Sequence, residues 1–331
     1  MPWERVLEVA RRQLDQFVSL ESKVLKGDDP EAIHDIRVAS RRLQQVFDLL
    51  YPPPRSQKVR KLRRTIRRAR RVLSVVRNCD VLLDRVKRVL TKKRTSRREA
   101  WEVFRDYLQE RRDQRFRKAS RRLSKLNLSA FYVRLREHLR SAGNTQPLSG
   151  APAVQERSSA GENDLRARLG QQLRETWASL ETGVAEAQEM PGAATLHPAR
   201  IAAKKMRYLI EVIHEFGVAG SDQALACLRH LQQHLGDWHD LEVLEEMMLE
   251  MVARPAFLRG RLELAMDVER LVLRNRRSKK AYEGKFFQMT GSSEEWTRLR
   301  EWVENFLPAG STQHGGNGNE AYSPAFPPLR T

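Results

Sequence analysis

Two stretches of this chain, IHDIRVASRRLQQVFDLL (33–50) and LHPARIAAKKMRYLIEVI (196–213), read as one amphipathic helix written twice. They align without gaps, His34 with His197, Arg37 with Arg200, Ala39 with Ala202, and Arg41–Arg42 with Lys204–Lys205. A second pair, LSVVRNCDVLLD (73–84) and LGDWHDLEVLEE (235–246), follows at an offset of 162 residues against 163 for the first. There Leu73 meets Leu235, Asp80 meets Glu242 and Val81 meets Val243. Two matches in one register point to a duplication. A duplicated amphipathic helix restricts the fold to two similar helical bundles.

The rest of the chain agrees. Apolar residues recur at three- and four-residue steps almost everywhere before residue 308, with few alternating β-branched runs. The periodicity predicts helices near 2–26, 30–50, 56–78, 79–95, 97–125 and 128–141, then 164–190, 196–216, 221–236, 238–253, 256–290 and 293–307. Asp29 and Pro30 supply an N-cap and a first helical residue, and YPPPRS (51–56) stops the helix that follows them. Residues 143–163, rich in Gly, Ser, Pro and Ala, read as a linker between a first bundle (1–142) and a second (164–307). The tail 308–331 has turn formers and no helical period, and is expected to be unstructured.

On a helical wheel at about 100° per residue, the repeated helix separates into two faces. With His34 as origin, Arg37, Arg41 and Gln45 lie within about 60° of it, while Ile36, Ala39, Leu43, Phe47 and Leu50 lie opposite. The second copy sets His197, Arg200, Lys204 and Tyr208 against Ala199, Ala202, Met206, Ile210 and Ile213. A charged helix face is ordinarily just solvated, but such faces mix acids with bases for mutual support. These stripes contain none, they occur twice, and each histidine is read in the first turn of its helix, as Pro198 suggests for the second copy. Free N–H groups at helix starts favour anions. The stripe candidates are therefore His34, Arg37 and Arg41 with His197, Arg200, Lys204 and Tyr208, and Arg207 beside the second stripe is a further candidate.

Charge points the same way. Residues 1–140 hold 39 basic and 17 acidic side chains, and the remainder 22 and 25. The run RSQKVRKLRRTIRRARR (55–71) has ten basic residues and no acid on an amphipathic helix, adding Arg64, Arg67 and Arg71 to the candidates. A smaller cluster at 274–287 offers Arg277, Lys280 and Lys285. Arginine suits forked hydrogen bonding of phosphate oxygens, so a polyanionic partner follows.

Other chemistries find little support. His230 and His234 are four residues apart and His239–Asp240 follows, yet no Cys or paired acid completes a set, so no metal is expected. Asp80 and Glu242 follow apolar helix ends and read as partners of basic residues on neighbouring helices. No phosphate-cradling glycine loop, nucleophile elbow or other catalytic constellation is present, and no cofactor is expected. Cys79 and Cys227 read as small buried thiols. With no apolar run long enough to span a membrane and a charged start, MPWERVLEVARRQ, no membrane insertion is expected and the default location is cytoplasmic.

The pattern His-x-x-Arg-[Val/Ile]-Ala-x-[Arg/Lys]-[Arg/Lys]-[Leu/Met], at 34–43 and 197–206, with the Leu-[Gly]-…-Val element after each copy, resembles the CHAD (conserved histidine α-helical domain) family. The resemblance covers roughly 1–307. It implies an all-α fold of two tandem antiparallel four-helix bundles related by a pseudo-twofold axis. A basic cavity between them would bind inorganic polyphosphate through His34, Arg37, Arg41, Arg42, His197, Arg200, Lys204 and Lys205. Ser74, Asn78 and Glu242 depart from the family's turn, where Gly, Asp and Asp are usual. Some relatives carry a CYTH triphosphatase domain, and no Glu-x-Glu-x-Lys is found here. The expectation is a non-enzymatic polyphosphate binder, salt- and length-dependent and placed on polyphosphate granules. The alternative is a nucleic-acid-binding helical protein, disfavoured because the stripes lack stacking aromatics apart from Tyr208. An enzyme acting on a phosphorylated substrate has its cations here but no base.

Overall fold

The computed structural model describes residues 2–27, 29–143, 154–258 and 261–306. The protein is all-α, with helices α1 (Pro2–Ser19), α2 (Glu21–Lys26), α3 (Pro30–Leu50), α4 (Gln57–Val72), α5 (Ser74–Leu90), α6 (Arg98–Ser124), α7 (Leu128–Gly143), α8 (Val154–Glu189), α9 (Ala193–Glu215), α10 (Ser221–Val252), α11 (Pro255–Leu258), α12 (Leu262–Gly291) and α13 (Glu294–Phe306). Among the described residues no helix is long and apolar enough to cross a membrane.

Helix α3 has the bounds its sequence predicts. The Asp29 carboxylate accepts the Glu31 N–H at 2.9 Å and Pro30 opens the helix. Its apolar stripe is buried, with Ile36, Ala39, Leu43 and Phe47 each 1 % exposed. Burying a large apolar side chain is worth about 1.5–3 kcal/mol, so three of them outweigh the few tenths that crowded cations on one helix cost. Core packing therefore fixes which way the cations face. In α9 the corresponding residues, Ala199, Ala202, Met206, Ile210 and Ile213, are buried as well.

Several boundaries differ from the sequence reading. The basic helix ends at Val72, and α5 begins at Ser74 after a single intervening residue, Leu73, whose carbonyl still accepts the Arg77 N–H at 3.1 Å. The corresponding stretch of α10 runs unbroken through Gly236. An isolated glycine costs a helix only about 1 kcal/mol, and the buried face of Leu231, Leu235, Trp238 and Leu241 carries the period across it. Residues 144–153 of the expected linker lie outside the described residues, and helix resumes at Val154 and runs through Ser158, Ser159, Gly161 and Asn163, which read as turn formers in the sequence. The tail at 308–331 also lies outside them.

Contacts divide the chain into two compact units, one of Val6–Gly150 with Asp237–Tyr282, the other of Met1–Arg5, Ala151–Gly236 and Glu283–Thr331. This differs from a division in chain order at the linker. The reason is a shared core in which Cys79, Leu82 and Val86 of α5 and Phe104 and Leu108 of α6 join Leu244, Met248 and Met251 of α10 and Val268 and Leu271 of α12. In the other unit, α8 packs on α9, and a Cβ on Gly183 would lie 3.1 Å from the Ala199 Cα. Trp177 and Trp296 bring α8 and α13 together at 5.5 Å between ring centroids.

Gly27 terminates α2 in the left-handed region, φ 81°, and a Cβ there would come within 2.3 Å of the Phe116 ring. Gly27→Ala should therefore lose about 1–3 kcal/mol in urea unfolding. Unchanged stability would mean that Phe116 does not pack against the end of α2.

Candidate functional site

The first cationic stripe lies on α3. His34, Arg37, Arg41 and Arg42 are all half-buried. Arg37 is held: one Nη donates to the Arg70 carbonyl at 2.8 Å and to the Ser74 hydroxyl at 2.6 Å. Ser74 in turn donates to the same carbonyl at 3.1 Å. The residue that departs from the expected glycine thus completes a small network at the α4–α5 junction. In the second copy the equivalent position is Gly236, inside continuous helix.

Both ends of this stripe carry an acid. Glu31, one turn before His34, pairs with Arg77 of α5 at 3.5 Å. Asp48, whose azimuth on α3 falls within about 40° of His34, takes Arg63 on both oxygens at 2.6 and 3.0 Å and Arg55 at 3.2 Å. The run free of acids is therefore bounded, and each bounding acid is already committed to arginine from another element.

The histidines sit elsewhere than in the opening turn. His34 and His197 are each the fifth residue of their helices, so their N–H groups already face the carbonyl of the first helical residue. Pro198 is the sixth residue of α9 and takes a donor away from the Ala194 carbonyl. The free amides of a helix start are not at these histidines, and anion binding there would use the imidazole itself. Both rings titrate below the ordinary histidine value. Burial is the first cause for His34, followed by Arg77, with Arg41 adding to it and Glu31 and Asp35 opposing. For His197, partial desolvation comes first, then Arg200 and Lys204.

The second stripe is less uniform than its sequence suggests. Arg200 and Lys204 are half-buried, and His197 and Lys205 are exposed. Tyr208 is only 5 % exposed, so its ring belongs to the core and not to the polar wall. The guanidinium of Arg207 lies 4.3 Å from the Tyr208 centroid and donates to Gln232 at 2.5 Å and to Glu211. Arg207 is thereby spent on structure. Position 211 corresponds to Asp48 and position 207 to Gln44, and Gln44 likewise donates to Asp48, at 3.4 Å. The duplication extends to this hydrogen bond.

Arg64, Arg67 and Arg71 are exposed on α4, a helix with nine basic residues and no acid. Lys280 is exposed on α12, and among the described residues no hydrogen bond or ion pair ties it to either stripe. Sequence reasoning passed over Asp48, Arg55, Arg63 and Arg77. The only signal was an acid closing the stripe just before a run without acids.

The acids suspected as partners of basic residues are that. Asp80 accepts Arg112 Nε at 2.7 Å, and Arg112 also donates to the Gly27 carbonyl at 2.9 Å. Burial pushes the Asp80 carboxyl upward while Arg112 opposes it. Glu242 and Glu245 hold Lys279 at 2.6 and 2.8 Å. Cys79 and Cys227 are buried free thiols, pushed up to about 11 and about 12 by burial. Among the described residues no three His, Cys, Asp or Glu side chains converge on a metal position, and His230 instead faces Glu295 at 3.3 Å.

Two substitutions separate position from charge. Arg37→Lys keeps the charge but not the fork, and should cost about 1 kcal/mol of stability by loosening the α4–α5 junction. Asp80→Ala strands the mostly buried Arg112 and should cost about 3 kcal/mol. Urea unfolding measures both, and no change at Asp80 would remove its pairing role.

The fold and its motifs have known counterparts. The structure matches that of the CHAD domain from the plant Ricinus communis with a TM-score of 0.55, at 20 % identity over 91 % of each chain. It matches PptA from Streptomyces chartreusis with a TM-score of 0.55, at 14 % identity over 88 % of this chain and 99 % of that one. No curated protein matches the sequence significantly. Residues 8–249 match the CHAD domain family, nearly three quarters of the chain and both copies of the histidine helix, so the chain belongs to the CHAD family.

Proposed function

We propose that this protein binds inorganic polyphosphate through the cationic stripes of α3 and α9, and that it does so without catalysis. Membership of a family associated with polyphosphate binding supports the ligand class. One observation carries the assignment to these helices. The same face recurs on both, and on α3 the flanking acids are already bound to arginines, leaving the stretch between them cationic. A phosphate chain presents a charge at every unit, which matches cations repeated along a helix. The proposed setting is the cytoplasm, at polyphosphate granules.

Filter retention of long-chain polyphosphate against DNA and RNA, at equal phosphate and several salt concentrations, tests the ligand. Polyphosphate should be retained best, and retention should fall steeply with salt as counterions compete. Better retention of DNA or RNA would favour a nucleic-acid partner instead. Release of orthophosphate during incubation would end the non-enzymatic reading. The double variant Arg41→Glu/Lys204→Glu should weaken binding at least about tenfold. Arg298→Glu/Arg300→Glu, on an exposed face of α13, should change it far less, and equal losses would leave only diffuse attraction.

The pH dependence has a defined sign. Histidine pKa values depressed in the free protein mean that folding stability falls as pH drops below the unfolded value of about 6.5. A bound polyanion favours imidazolium and raises both values, so binding takes up protons. Affinity should rise as pH falls through the bound-state value, and continue to rise below about pH 6.5 until the free rings are charged. His34→Gln/His197→Gln should flatten that rise in isothermal titration, and a pH-independent wild type would exclude the histidines from the site.

A further inference from the structure

The turn at 51–56 and the first three turns of α4 enclose a cleft of about 350 Å³, lined by Pro53, Arg55, Arg60, Arg63, Arg64 and Arg67. Five of its six lining residues are arginines. The cleft lies at the lower end of the size range of small-molecule sites. Asp48 is not itself part of the lining but binds two of the five arginines, Arg55 and Arg63.

Two of the five are held in place. Asp48 binds Arg63 as a fork and also takes Arg55, whose Nε donates to the Tyr51 carbonyl at 2.6 Å. A guanidinium has five N–H donors, and these contacts occupy two on Arg63 and two on Arg55. Three on each remain, in planes fixed by the carboxylate. Arg60, Arg64 and Arg67 are exposed, and among the described residues none has a hydrogen bond or ion pair. Two rigid cations with three adjustable ones around them suit a ligand carrying several negative charges close together.

The chemistry narrows further. Guanidinium forks match phosphate oxygens. A nucleobase would need an aromatic face, but no lining residue is aromatic, and Tyr51 at the start of the turn packs on Phe47 at 4.9 Å between centroids and donates to the His138 carbonyl at 3.2 Å. The cleft is also displaced from the stripe residues expected to bind a long chain. Asp48, which anchors two of its arginines, lies six residues beyond Arg42 and seven beyond Arg41, about 10 Å along α3.

We infer that this cleft is a separate anion site for a short condensed phosphate, of the size of inorganic triphosphate. Arg64 and Arg67, expected to act with the stripes, belong to it. The inference goes beyond polyphosphate binding, for it stands whether or not the stripes take a long chain.

Isothermal titration of the full chain with inorganic triphosphate, at constant ionic strength, tests it. The wild type should bind one triphosphate saturably, and orthophosphate at least about tenfold more weakly. Arg60→Glu/Arg64→Glu, at two exposed positions, should weaken triphosphate at least about tenfold, with an unchanged circular dichroism spectrum. Lys205→Glu in the second stripe and Arg298→Glu on α13 should each leave it within about twofold. The inference fails if triphosphate does not saturate, if orthophosphate binds as tightly, or if the Arg60/Arg64 variant retains affinity. It fails equally if Lys205→Glu or Arg298→Glu costs as much. Long-chain retention measured on the same variants keeps the two proposals apart, since triphosphate binding can persist where long-chain binding is absent, and the reverse.

Discussion

Thirty-nine basic side chains among residues 1–140 repel one another, and only seventeen acids stand against them. Scattered over the surface as i,i+4 pairs, those acids would each contribute only a few tenths of a kcal/mol. Several are instead placed between elements. Asp48 gathers Arg55 and Arg63 against the end of α3, Glu31 reaches Arg77, and Asp80 holds Arg112 beside the α2 terminus. Each such contact spends an arginine on architecture and fixes its plane. Exposed arginines outside these contacts, such as Arg60, Arg64 and Arg67 of α4, define surfaces on which an anion is stabilised.

The duplicated helix shows how one sequence pattern yields two different electrostatic faces. Position 44 donates to 48, and position 207 donates to 211, so the local geometry is conserved within the chain. The donor is glutamine in the first copy and arginine in the second. In the first copy the acid is therefore free to recruit two arginines from α4 and the turn before it. In the second, Arg207 of the same helix donates to the acid and also turns to Gln232 and the Tyr208 ring. The cationic surplus consequently concentrates around α3 and α4.

What was legible in the sequence followed from periodicity. The bounds of α3 and the burial of Ile36, Leu43 and Phe47 are consequences of a 3.6-residue repeat and a good cap, both local. What was illegible depends on contacts between distant segments. The helix break at Leu73 has no proline or glycine to announce it, and it stands beside the Arg37–Ser74–Arg70 network. Gly236 looked like an end and is spanned by a continuous apolar face. That residues 241–272 would share a core with α5 and α6 is a property of the folded chain, since either partner would look equally apolar packed elsewhere. The cationic candidates were found by charge and spacing. Their sorting into exposed, half-buried and already bonded side chains needed the structure, which moved Tyr208 into the core and Arg207 into a network.

The histidines show most clearly what that sorting changes. At a helix start, an anion would meet main-chain donors whose partial charge is independent of pH. At the fifth position those donors are already bonded, and only the ring remains to interact. Burial first, and then Arg77 and Arg41 around His34 and Arg200 and Lys204 around His197, lower the proton affinity of each ring, and an arriving negative charge offsets the cations. A ring that gains its proton with the ligand adds little cation–cation repulsion to the empty site and a full charge to the occupied one. A third arginine at the same place would add repulsion to both. Histidine in this position therefore couples anion binding to proton uptake, which lysine or arginine there could not do near neutral pH.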